Sequence, residues 1–155
     1  MRAVPMSAAP TSAREGRYAA IAPLLLRLFV GFVLVYGTQD NIFDRAKMLE
    51  FRDFLASNGF PYPLASAHLS AYAQFLTGGL LLAGLFTRFA ALVVVVNFLV
   101  ALGMVHVGLP FNANIAPLAM LVGGIFFVLQ GAPRYSVDAL LARRASRDAP
   151  PAGTA

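Results

Sequence analysis

Four apolar runs, at residues 18–37, 65–86, 89–108 and 115–130, take up most of this chain, and the one long polar connection among them is residues 38–64. A helix of twenty residues rises about 30 Å, the thickness of a bilayer's hydrocarbon core. A soluble domain of 155 residues has too little interior to hide four such helices. The chain is 59 % hydrophobic and 12 % charged, whereas soluble domains average roughly 45–50 % apolar and about 25 % charged residues. The sequence therefore predicts an all-α fold, a four-transmembrane-helix bundle with the lipid bilayer as its solvent.

The charges support this. The formal net charge is +5, but the basic residues sit at the ends of apolar runs, as membrane-flanking charges do, and not in a nucleic-acid-binding patch. Arg2, Arg14, Arg17, Arg88, Arg134, Arg143, Arg144 and Arg147 fall on one side of the predicted bundle, and Arg45, Lys47 and Arg52 on the other. The excess of Lys and Arg marks the cytoplasmic side, so both termini are expected there. Residues 1–17, rich in Ala, Pro, Ser and Arg, read as a disordered tail without the pattern of a signal peptide. Residues 18–144 form the membrane domain, and residues 145–155 a second tail.

Within the polar connection, Ile42, Phe43, Ala46, Met48, Leu49, Phe51, Phe54 and Leu55 recur at helical spacing. They predict an amphipathic surface helix between helices 1 and 2, ended by Asn58-Gly59-Phe60-Pro61-Tyr62-Pro63. After the fourth run, GAPRYSVDALLARR predicts a short cytoplasmic C-terminal helix with Ser136 as N-cap and Asp138 as a first-turn acid. Gly79 with Ala83, and Ala119 with Gly123, have the four-residue spacing that lets membrane helices approach closely.

Polar groups inside a membrane are costly, which makes them informative. Counted along the predicted spans, Arg27 and Asn97 lie about 12 Å from the cytoplasmic ends, Gln74 about 18 Å, and His68 and His106 about 25 Å. Arg27, Gln74 and Asn97 form an inner layer. It either ties the helices together or holds a ligand oxygen or anionic headgroup, and Arg27 is long enough to snorkel to the interface instead. His68 and His106, with Asp40 nearby, form an outer layer. It is open to three readings: ordinary interfacial histidines, a quinone-type or proton-transfer site, or a metal site. The absence of cysteine removes disulfides and thiolate ligands. No metal, haem or flavin site is evident, and there is no phosphate loop or nucleophile elbow.

Four segments together resemble the DoxX family of small four-helix membrane proteins: LLLRLFVGFVLVYG, which carries Arg27 and Gly31; the surface helix ending FLASNGFPYP; AQFLTGGLLLAGLFTRFAALV; and GAPRYSVDALL. The resemblance covers about residues 23–142. It implies a bacterial inner-membrane protein tied to respiratory or detoxifying redox systems, with quinone as the lipid-soluble partner molecule in some relatives. The family often has an acid where this chain has Gln74, a Lys after the first span where this chain has Asp40 and Asn41, and a His at the position of His106. The expectation is a membrane subunit or accessory of a quinone-linked oxidoreductase, with Arg27, Gln74 and Asn97, or His68, His106 and Asp40, meeting the quinone oxygens. Electrons would come from a protein partner, and the chain would not catalyse alone. A scaffold that docks a partner, a homo-oligomer, and a small transporter or channel are the alternatives.

Overall fold

The structure, a computed structural model, describes residues 13–131 and 136–148, with side chains over 18–131, 136–141 and 144. Six helices follow one another: α1 Ala13–Phe43, α2 Arg45–Ser57, α3 Pro63–Ala83, α4 Thr87–Met104, α5 Phe111–Gln130 and α6 Val137–Asp148. α1 packs chiefly along α3, α3 along α4, and α4 along α5; α1 also touches α5, and α2 lies against α3 and α1. Val30, Leu34, Leu81, Ala90, Ala91, Val94, Met120 and Phe127 form the core. Outside it, Leu25, Phe29, Phe32, Leu92, Val96, Val122 and Leu129 are exposed. Helices that are apolar inside and out suit a lipid surrounding.

The expected four spans become three when length and apolarity are both required. Among the described residues, α1 over Tyr18–Phe43, α4 and α5 are long and apolar enough to cross a membrane. α3 has the length, at 21 residues, but Ser66, His68, Ser70, Gln74 and Thr77 dilute its apolar character.

Helix ends differ from the sequence expectation for local reasons. α1 already includes Ala13, within the stretch expected as a tail; residues 1–12 and 149–155 lie outside the described residues. α1 also continues past Gly37 to Phe43, because Thr38, the first polar residue there, turns its Oγ1 back to the Leu34 carbonyl at 2.6 Å and so costs the helix little. Asp44 ends α1 by turning extended, and its Oδ1 accepts from the Ala46 N–H at 2.7 Å as the N-cap of α2. α3 stops three residues before its predicted end. Gly84 is left-handed at φ +71°, Leu85 N–H bonds the Leu80 carbonyl at 3.0 Å, and Gly84 N–H bonds that of Leu81 at 3.1 Å. This Schellman closure exploits glycine's freedom at positive φ.

α2 buries Met48 and Leu55 against Ala67 and Ala71 of α3. Its other face is polar: Lys47 donates to Glu50 at 2.8 Å, which holds the Lys47 ammonium above its ordinary pKa, first through that bond and then through the charges around it.

The close helix approach is not at the predicted small residues. Gly31 on α1 and Gly78 on α3 face each other so tightly that a Cβ on either would lie 2.9 Å from the other's carbonyl oxygen. Gly79, by contrast, faces open space, and Ala83 and Ala119 are exposed. Gly123 does pack, against Val30.

Candidate functional site

The Gly31–Gly78 contact sets the register of α1 against α3, and register decides where Arg27 sits. Four residues before Gly31, Arg27 lies level with Gly84 at the end of α3 that leads into the α3–α4 hairpin. Its side chain is buried, at 3 % exposure. A Cβ on Gly84 would collide with the Arg27 guanidinium and come within 2.8 Å of the Ser136 Cβ. Arg27 is therefore packed between the hairpin turn and the start of α6. Gln74 lies ten residues up α3 from Gly84, about 15 Å away along the axis. The expected inner layer of Arg27, Gln74 and Asn97 does not form. The depth count failed because α1 extends beyond both predicted ends, so its apolar run does not start level with the end of α3.

The carboxylate near Arg27 comes from the C-terminal segment. The charge of Asp138 acts on Arg27, and its carboxylate accepts from Phe86 N–H at 2.9 Å, Thr87 N–H at 3.0 Å and the Thr87 hydroxyl at 3.1 Å. Phe86, the N-cap of α4, is itself left-handed and offers no side-chain cap. Asp138 thus caps α4 from outside, where an anion also meets the positive end of the helix dipole. Asp138 N–H bonds the Gly84 carbonyl at 3.1 Å, and Ser136 Oγ accepts from Ala139 N–H at 3.1 Å as the expected cap of α6. At the same end, the Arg88 guanidinium lies over Gly131, at the carbonyl-rich end of α5. Residues 132–135 of the GAPRYSVD segment lie outside the described residues.

The other polar residues gather at a groove. α2 packs on α3 and leaves its side toward α4 open, so that α2, α3 and α4 enclose a cavity of about 710 Å³. Phe51, Phe54 and Phe60 form one wall, and Leu92, Val96 and Met104 the wall toward the lipid. The polar lining consists of Ser66, Ser70, Gln74, Asn97 and His106. Gln74 Nε2 donates to Ser70 Oγ at 3.1 Å, and Ser70 Oγ donates to Asn97 Oδ1 at 2.9 Å. This ladder joins α3 to α4 halfway along the groove. It leaves Gln74 Oε1 and the Asn97 NH2 group without partners among the described residues, so the groove offers one acceptor and one donor. Towards the α2 end, His106 Nδ1 is buried, out of reach of the open groove, and has no hydrogen-bond partner among the described residues.

Of the six predicted residues, the structure brings Gln74, Asn97 and His106 to this groove and places three elsewhere. Arg27 is at the hairpin. His68 is exposed, its Nδ1 2.8 Å from the Leu64 carbonyl and its ring stacked on Tyr72. Asp40 is exposed and does not line the groove. Sequence reasoning missed Ser66 and Ser70. With Gln74 they stand at i, i+4 and i+8, one polar stripe on an otherwise apolar helix face, which was legible in the sequence. Among the described residues no three His, Asp or Glu side chains come together as metal ligands.

The DoxX family model matches residues 22–107. The chain belongs to the DoxX family. The match takes in α2, α3 and α4, and hence the whole groove, together with Arg27 and Gly84; Ser136 and Asp138 lie beyond it. This DoxX chain matches no curated protein and no solved structure.

Proposed function

We propose that this DoxX-family membrane protein holds the head of a neutral, lipid-soluble redox carrier of the quinone class, as a membrane subunit or accessory of an oxidoreductase. The Gln74–Ser70–Asn97 ladder carries the reading: it presents an unpartnered donor and an unpartnered acceptor inside an apolar groove. Small-molecule sites are built this way, with apolar walls and a few placed polar groups. Among the described residues the lining contains no Asp, Glu, Lys or Arg, so an anionic lipid head would be desolvated there without a fixed countercharge. A planar neutral head with two oxygens fits, and its isoprenoid tail can leave between the lipid-facing residues of α3 and α4.

A bound quinone would supply reversible two-electron, two-proton chemistry, which these side chains do not have. The chain's own part is to bind and orient: Asn97 donates to a head oxygen, Ser70 fixes the Asn97 carboxamide, and Phe51 and Phe54 exclude water from one side. Electrons come from a partner protein.

The same reading makes α3 a fourth crossing. Its polar stripe lines the groove while Tyr72 and Leu76 are exposed outside it, and it packs between α1 and α4, which both have the length and apolarity to cross. With four crossings, the excess of basic residues at the hairpin end supports a reading in which both termini lie on the cytoplasmic side of a bacterial inner membrane.

Native mass spectrometry of the chain, extracted with lipid from its host membrane, tests the proposal. A quinone-mass adduct is expected, and Asn97→Leu should lose it. A wild-type spectrum without an adduct, or an adduct indifferent to Asn97→Leu, overturns it. A bound protein and no small ligand would point instead to a scaffold.

A further inference from the structure

The ladder across the groove fixes which hydrogen-bonding groups are left for a ligand. Gln74 and Asn97 meet the same Ser70 hydroxyl, Gln74 through Nε2 at 3.1 Å and Asn97 through Oδ1 at 2.9 Å. A serine hydroxyl has one hydrogen. That hydrogen goes to Asn97 Oδ1, so the Gln74 NH2 group must supply the other contact, and Gln74 Oε1 is turned away from the ladder. Reversing the ladder would change only which carboxamide is left over. The hydroxyl hydrogen serves one contact, the second contact needs a carboxamide N–H, and the oxygen of that carboxamide stays free. An acceptor therefore remains in either direction.

Gln74 Oε1 has no partner among the described residues, and it is not sealed inside the protein. The residue that carries it lines the groove. Other hydroxyls of α3 are engaged elsewhere: Ser66 donates to the Pro61 carbonyl at 2.8 Å, and Thr77 to that of Ala73 at 2.6 Å.

We propose that the groove selects the reduced, hydroxyl-bearing form of the carrier over the oxidised form, through Gln74 Oε1. This rests on the reading of the groove as a quinone-class site. Both forms can take a hydrogen bond from the Asn97 NH2 group, because carbonyl and hydroxyl oxygens both accept. Only a hydroxyl can also give one to Gln74 Oε1. A quinone has no O–H, so against a bound quinone this acceptor loses water and gains nothing. Sites built to bond a hydroxyl reject the analogue that lacks it for the same reason. The walls sharpen the difference. Phe51, Phe54, Leu92 and Val96 line the same groove, and an unmet polar atom costs more in apolar surroundings than in water. Quinone and quinol are alike in size and both neutral, so the apolar walls treat them equally and the acceptor separates them.

The test uses the full chain in lipid nanodiscs under exclusion of oxygen. The probes are ubiquinone bearing one isoprene unit, its quinol, and the dimethyl ether of that quinol. Each is titrated against empty nanodiscs as the reference for partitioning into lipid. The quinol is expected to bind about tenfold more tightly than the quinone, the effect of leaving one acceptor unmet. The ether, which keeps both oxygens but has no O–H to donate, should lose that advantage. In Gln74→Met the quinol-to-quinone affinity ratio should fall to near one. Equal binding of quinone and quinol by the wild type, or tighter binding of the quinone, overturns this inference and leaves the site reading intact. So does a quinol preference that survives in Gln74→Met, or an ether that binds as tightly as the quinol. Failure of all three probes to bind overturns the site reading and this inference with it. The three probes decide the matter on the wild-type chain even if the variant does not fold.

Discussion

At the hairpin end of the bundle, α1, the α3–α4 turn and the start of α6 meet, and the polar groups there close the structure. Arg27 is buried under Gly84 and Ser136, and Asp138 spends its carboxylate on the α4 N-terminus. At the α2 end, helices also meet, yet polar groups facing the groove are left over among the described residues: the Asn97 NH2 group and Gln74 Oε1. Both ends pay for polar atoms within an apolar protein. In one the side chains are packed into the helix contacts, and Asp138 closes a helix end; in the other Gln74 and Asn97 line a cavity and await a partner. Buried polarity alone therefore does not mark a ligand site. Polar side-chain atoms that face open volume without a partner among the described residues do.

Loss of Asp138 should have the largest effect. Asp138→Ala removes three hydrogen bonds from the first turn of α4 and takes a carboxylate away from a buried guanidinium. Losing the cap and one side of a charge pair should destabilise the protein by about 3 kcal/mol. Thermal unfolding in detergent should show it, and hydrogen exchange should rise first at Phe86 and Thr87. Equal loss at the α2 end would mean that the two ends are not separate. Gly84→Ala comes next, at about 2 kcal/mol, because alanine is strained at φ +71° and its Cβ meets the Arg27 guanidinium. A truncation that also removes α6 should relieve part of that cost by freeing one wall around Arg27.

The contrast explains what could be read in advance. Helix type follows from periodicity and local chemistry, and α2 lies close to where its spacing placed a helix. Gln74, Asn97 and His106 could be singled out because polar residues are rare in such runs. Depth could not be read, because it depends on the register that Gly31 and Gly78 set between helices far apart in sequence. Depth counting therefore gives Arg27 the neighbours Gln74 and Asn97 in place of Gly84 and Ser136. The partnership of Asp138 with Phe86 and Thr87 joins residues about fifty positions apart, and nothing in either segment alone announces it. The groove is a consequence of packing, since α2 covers α3 and leaves the side toward α4 uncovered.

The smallest effects sharpen the comparison at the α2 end. Asn97→Ala leaves the Ser70 hydroxyl without its acceptor and should cost about 1 kcal/mol of stability. Its effect on quinone affinity should be larger in proportion, about tenfold, because the donor that meets the ligand is lost too. His68→Ala should change neither quantity. His68 is a residue of the same α3 that carries Ser66, Ser70 and Gln74, and sequence alone could not separate it from His106. Its position does so: it is exposed, its ring nitrogen lies against the Leu64 carbonyl, and it does not line the groove. Surface substitutions of this kind usually stay within about 0.5 kcal/mol. If His68→Ala weakened quinone binding as much as Asn97→Ala, the ligand would have to lie on the outer face of α3. The groove's unmet polar atoms would then belong, like those of the hairpin end, to the architecture alone.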